Sequence, residues 1–129
     1  DIYRISIDKT YIEQRDISMD VKNVKKACTE TLLLRMLREG PMHGYEMAKE
    51  VERRSEGYFA FKHGTLYPIL HRLEKQGLIA GEWSAPQEGE RPKKHYRLTR
   101  AGQRYQAENT DAWREFFAVL SALVPEVAQ

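Results

Sequence analysis

The seventeen residues from Lys62 to Leu78, KHGTLYPILHRLEKQGL, constrain this chain more than any other stretch, because they specify a short helix with both ends marked. Leu66, Leu70, Leu73 and Gly77 recur at i, i+4, i+7 and i+11, which gives one inward-packing face. Thr65, Tyr67, His71, Arg72, Lys75 and Gln76 are left on or beside the other face. Pro68 lacks the backbone N–H that a helix interior needs, so the spacing predicts a start near Thr65, with Thr65 as the N-cap. Gly77 can take the left-handed conformation that ends a helix, after which Leu78 and Ile79 resume as a buried strand.

Two short strands are expected next, Leu78 to Trp83 and His95 to Leu98. The segment between them, Ser84 to Lys94, holds Pro86, Gly89 and Pro92 and is too rich in turn formers to be helical. Its second half carries Arg91, Lys93 and Lys94, so the hairpin reads as a wing with a cationic tip. A three-turn helix with polar groups crowded at its N-terminal end fits a DNA major groove. A basic hairpin beside it can straddle the sugar-phosphate backbone or place Arg91 in the adjacent minor groove. The formal net charge of +2 hides an uneven distribution: residues 62–100 carry eight Lys or Arg against four Glu, whereas residues 1–61 are balanced. Such a stripe is the electrostatic footprint of a phosphate-binding surface, with plain solvation of a surface as the alternative.

Upstream, a helix is expected from about Asp20 to Gly40-Pro41, with Val21, Val24, Cys28, Leu32 and Met36 on one side and Leu33, Leu34 and Leu37 widening the stripe. A second runs from about Tyr45 to Arg54, with Tyr45, Ala48 and Val51 facing the core and Gly44 permitting the turn into it. Ser55-Glu56-Gly57 breaks the chain before Lys62, which completes a helix-turn-helix arrangement. Thr99 reads as the N-cap of a last helix, roughly Arg100 to Val124. On it Tyr105, Ala112, Phe116, Leu120 and Leu123 recur at spacings of seven, four, four and three, flanked by Trp113, Phe117, Val119 and Val124. One small domain cannot cover so wide an apolar face, so pairing of two copies is expected, with a helix folded back on its own domain as the alternative.

The chain of 129 residues has a single cysteine and no apolar run near the roughly 20 residues that cross a bilayer. With no secretory leader visible, a reducing cytoplasmic setting is expected, with no membrane partner. Residues 1–18 precede Met19, a natural start, and read as a leader that is either a native arm or vector-derived; Tyr3, Ile5 and Ile7 alternate within it as a short strand would. His43, His63, His71 and His95 show no paired ligand spacing, so no metal is expected. Cys28 fits a small buried hydrophobe better than a redox thiol. Neither a phosphate loop, a nucleophile elbow nor a carboxylate pair is visible, so neither catalysis nor a cofactor is expected.

Three segments, LLLRMLREGPMHGYEMAKEV (Leu32 to Val51), HGTLYPILHRLEKQGLI (His63 to Ile79) and KKHYRLTRAG (Lys93 to Gly102), resemble the PadR family of transcriptional regulators, and the likeness covers about Cys28 to Gly102. The resemblance implies an α+β, mainly α fold: a winged helix-turn-helix DNA-binding domain over residues 19–98 with a long C-terminal dimerisation helix over residues 99–129. It implies a homodimer, usually a repressor, on a palindromic operator of double-stranded DNA. DNA contacts then map onto Lys62, His63, Thr65, Tyr67, His71, Arg72, Arg91, Lys93 and Lys94. The helix pairing maps the dimer interface onto Cys28, Leu32, Tyr105, Ala112, Trp113, Phe116, Phe117, Leu120 and Leu123. Some relatives respond to a small aromatic or phenolic effector between the long helices, which singles out Trp113 for ligand stacking; its alternative is a plain interface aromatic. Tyr67 could instead be a core tyrosine, Arg72 could pair with Glu74 or Glu82, and the whole module could bind protein rather than DNA.

Overall fold

Residues 17–128, which the computed structural model describes, run in the order α1 (Ile17–Arg38), β1 (Met42–His43), α2 (Gly44–Arg54), α3 (His63–Lys75), β2 (Ile79–Trp83), β3 (Lys94–Leu98) and α4 (Arg100–Leu123), then a 3₁₀ turn, Pro125–Ala128. The alternation at Tyr3, Ile5 and Ile7 and most of the expected leader lie outside these residues, as does the side chain of Val21. Helix α1 starts three residues before the expected Asp20.

The core forms where three helices meet the sheet. Leu33, Leu34, Met36 and Leu37 of α1, Met47 and Val51 of α2, Leu66, Leu70 and Leu73 of α3, and Ile79, Tyr96 and Leu98 of the strands are all buried. Each such aliphatic side chain stabilises the fold by about 1.5–3 kcal/mol relative to exposure. Four buried positions within five residues of α1 mean that it is covered on more than one side, and α2, α4 and β3 all pack against it. The N-terminal part of α1 is different, since Val24, expected on the apolar stripe, is 58% exposed.

The α3 apolar face is the one the leucine spacing predicts, but its start is not. Lys62 is the N-cap, extended at φ −81° and ψ 148°, and its carbonyl accepts from Leu66 N at 3.0 Å. Thr65 therefore lies within the first turn and caps nothing. Pro68 sits in the second turn, where its missing N–H deprives only the Gly64 carbonyl of a partner. Gly64 is exposed, so water can take that role, and the proline is tolerated one turn later than expected. The end of the helix agrees with the sequence: Gln76 is the C-cap and Gly77 has φ 76°.

In α2 the core-facing set is Gly44, Met47 and Val51, and Tyr45 is 51% exposed, which corrects its expected core position. Gly44 also has a different role from the one expected. A Cβ there would stand 3.0 Å from Leu70 Cδ1 and 3.2 Å from Tyr67 Cε1, so the glycine admits α3 to close contact rather than easing a turn.

The sheet is antiparallel in the order β1–β3–β2, with Met42 opposite Tyr96 and Ile79 to Trp83 opposite Leu98 to Lys94. Strand β1 leaves no signal in the sequence, because two residues carry no period. The cap of α4 is as expected, with Thr99 Oγ1 accepting from Gly102 N at 3.0 Å. A Cβ on Gly102 would lie 1.8 Å from the Leu78 carbonyl oxygen, so only glycine lets α4 cross the start of β2.

Candidate nucleic-acid interface

With Leu66, Leu70 and Leu73 turned inward, α3 exposes His63, Thr65, Tyr67, His71, Arg72 and Lys75. The His63 and Tyr67 rings stack on that surface, 5.8 Å between centroids and 10° from parallel. Tyr67 is 43% exposed, so it is not the core tyrosine held open as an alternative. It borders a groove of about 880 Å³ that His71 shares with Tyr45 of α2 and with Trp83, Lys93 and Lys94 of the wing. The structure thus brings the middle of α3 and the base of the wing onto one surface. Lys62 is exposed at the helix N-terminus, and Arg91 and Lys93 are exposed on the loop.

Lys94 differs from its neighbours. Its ammonium donates to Glu74 Oε1 at 2.8 Å across the empty side of Gly81, and both side chains are roughly three-quarters covered. The Glu74 carboxylate holds the Lys94 amine above its ordinary pKa. A Cβ at position 81 would fall within 2.3 Å of Lys94 Cε and 2.6 Å of Glu74 Oε2, so glycine opens the space for this pair. The pair ties the wing to the C-terminal end of α3. It was not readable from the sequence, because its partners stand 20 residues apart.

Arg72 pairs with neither Glu74 nor Glu82. Its guanidinium lies 3.9 Å from Glu30 of α1, with the side chain 55% exposed, a loose contact that leaves it free to reach elsewhere. Two histidines that looked unrelated also meet. β1–β3 pairing sets His43 opposite His95 with ring centroids 3.7 Å apart, and His43 Nε2 lies 3.1 Å from Glu46 Oε1. Among the described residues no group of three or more His, Cys, Asp or Glu is placed to hold a metal ion, and no helix is long and apolar enough to cross a membrane.

The second candidate surface divides in two. Leu32 and Tyr105 pack against their own core, and Cys28 is half-buried, where burial pushes its thiol up. Trp113 is fastened within its chain: Nε1 donates to Thr31 Oγ1 at 2.7 Å, and that hydroxyl donates to Asn109 Oδ1 at 2.7 Å. Beyond it, Phe116 and Phe117 stand more than half exposed and Leu123 is 78% exposed, with Ala112 also open and Leu120 half-buried. Trp113, Phe116 and Phe117 form an aromatic cluster at centroid distances of 5.7–6.2 Å. Val24, Ala27, Ala112, Trp113 and Phe116 line an apolar cleft of about 300 Å³ beside it.

Comparison with known proteins agrees with this arrangement. The chain is 30% identical over 95 residues to the transcriptional regulator Rv3488 of Mycobacterium tuberculosis, which covers 74% of this chain and 84% of that protein. In fold it is similar to a PadR family transcriptional regulator of Eggerthella lenta, with a TM-score of 0.74 at 30% identity over 91% of this chain and 97% of that one. It is also similar to Bacillus subtilis PadR, solved in complex with operator DNA, with a TM-score of 0.56 at 26% identity over 61% of this chain and 44% of that one. The model of the transcriptional regulator PadR-like family matches residues 33–108, from the core of α1 through the wing to the first turns of α4. With more than half of its length matched, this chain belongs to the PadR-like family of winged-helix transcriptional regulators, a family of regulators rather than of enzymes.

Proposed function

We propose that the protein is a cytoplasmic repressor that binds a palindromic operator as a homodimer and is released by a planar aromatic or phenolic effector. The observation that carries this reading is the exposed polar face of α3, with basic wing residues on the same surface. Lys62, Arg91, Lys93 and the Tyr67 hydroxyl set register on phosphates; Lys94 joins them only by sharing its ammonium with Glu74. His63, Thr65, His71 and Arg72 reach base edges. Arg72 has the donor fork that guanine O6 and N7 accept, a pairing that discriminates by about 1–3 kcal/mol.

Pairing follows from the apolar surface left open on α4, since burial of Phe116, Phe117, Leu120 and Leu123 against a second copy removes it from water. The cleft beside Trp113 is apolar, as an aromatic effector requires, and a second chain would deepen it. A mobility shift with duplex from upstream of the protein's own gene, at two salt concentrations and with random competitor in excess, tests the reading. The expected result is a specific complex whose affinity falls with salt at a log–log slope of about −5 or steeper, from three cations in each of two chains. Binding that is weak and indifferent to salt contradicts it. Arg72→Ala should cost about 1–3 kcal/mol of preference for operator over random duplex.

A further inference from the structure

A helix in the major groove lies between two sugar-phosphate strands, and the wing serves only one flank of α3. At 100° per residue, Thr65 and Tyr67 lie 200° apart, on nearly opposite sides of the helix. Tyr67 borders the groove shared with the wing. Thr65 borders another, of about 420 Å³, whose opposite wall is α1. That wall presents Lys25 and Lys26, with Thr29 below and Tyr58 and Phe61 closing the end, and its lining contains no carboxylate.

Lys25 is held in place. Its ammonium donates to the Tyr58 carbonyl at 3.1 Å and sits 3.8 Å from the centre of the Tyr58 ring. An ammonium has three N–H donors, so with one given to the carbonyl and one facing the ring, a donor remains for another acceptor. Lys26 is exposed next to it. Residues 1–30 carry six positive and six negative side chains, and this balance conceals the local arrangement.

We propose that Lys25 and Lys26 of α1 form a second phosphate-binding flank, so that α3 is gripped on the side away from the wing by the backbone of the other DNA strand. The inference rests on the DNA-binding reading above and adds to it two cations per chain, which act on any sequence alike because phosphates carry no base identity.

The test compares three variants of the full chain on operator and random duplex across a salt series: Lys25→Gln with Lys26→Gln, Lys26→Gln alone, and Arg91→Gln with Lys93→Gln. The first is expected to flatten the log–log salt slope by about 3 to 4 in the dimer and to weaken both duplexes by the same factor. Lys26→Gln alone leaves the Tyr58 anchor intact and is expected to give about half that change, which separates phosphate contact from disturbance of the turn. An unchanged slope in both lysine variants, with the wing variant flattened, overturns the second flank and leaves the DNA reading standing. Unchanged slopes in all three overturn both.

Discussion

The winged-helix half of the molecule and the far half of α4 use apolar residues in opposite ways. From Leu33 to Leu98 the large aliphatic side chains converge on one core, and what they leave outside is mostly polar or cationic. Along α4 only Gly102 and Gln106 are buried, while Phe116, Phe117, Val119 and Leu123 are more than half exposed. The first half is complete as one chain and offers its surface to a charged partner. The second leaves an apolar surface uncovered within one chain, which is the surface that the proposed pairing with another copy would bury.

The sharpest break between the halves should come where they join. Gly102→Ala forces a methyl into the Leu78 carbonyl, so we expect a loss of about 3 kcal/mol or more and a melting temperature lower by 10 °C or more. Thermal unfolding followed by circular dichroism checks this; an unshifted melt refutes the contact.

Next in size is a change to the apolar surface of α4 that the proposed pairing buries. Phe117→Asp with Leu123→Asp should raise the dimer dissociation constant by about 100-fold or more, since each side chain buried at the interface is worth about 1.5–3 kcal/mol. Because both side chains are more than half exposed within one chain, secondary structure should persist while the measured mass halves.

A smaller effect belongs to the wing. Glu74→Gln removes the charge that Lys94 pairs with and keeps only an amide oxygen as acceptor, with an expected loss of about 1 kcal/mol of stability. Charge exchange, Glu74→Lys with Lys94→Glu, should restore the wing position in part, and a double-mutant cycle with no coupling would remove the brace from the account.

The least effect is expected at Glu50, whose carboxyl is lowered to about 2 by hydrogen bonds from Arg53 and Arg54. A carboxyl depressed on folding contributes stability that is whole above its ordinary value of 4.5 and is lost as pH falls toward 2. The exposure of its arginine partners and screening by salt keep that contribution small. Glu50→Gln should therefore flatten the acid limb of the melting curve between those pH values, and an identical limb would show that the pair adds nothing.

How much of this was legible in the chain depends on the distance over which each feature is decided. Leucine spacing within α3, the Gly77 stop, the Thr99 cap and the turn residues of the wing are set by neighbours a few positions apart, and all were readable. The α3 start lies earlier than Pro68 alone implies, because the exposure of Gly64, whose carbonyl loses the bond, decides whether the proline is tolerated. The apolar pattern of α2 points Tyr45 inward because the true inward phase, one residue away, begins at Gly44, which has no side chain to signal burial. Gly44, Gly81 and Gly102 are needed for space beside Leu70, Lys94 and Leu78, each 13 or more positions away, and such needs leave no local trace. The same is true of the Lys94–Glu74 brace, the Trp113–Thr31 tie and the Lys25–Tyr58 anchor.

The central claim is that two copies joined along α4 present two basic helix-and-wing surfaces to one duplex. Sedimentation equilibrium on the purified chain, from low to high micromolar and then with one equivalent of operator duplex per two chains, tests it most directly. The account predicts a species of twice the 15.1 kDa chain mass that takes up a single duplex. A particle that stays at 15.1 kDa throughout, or chains that load onto DNA one at a time, would contradict it.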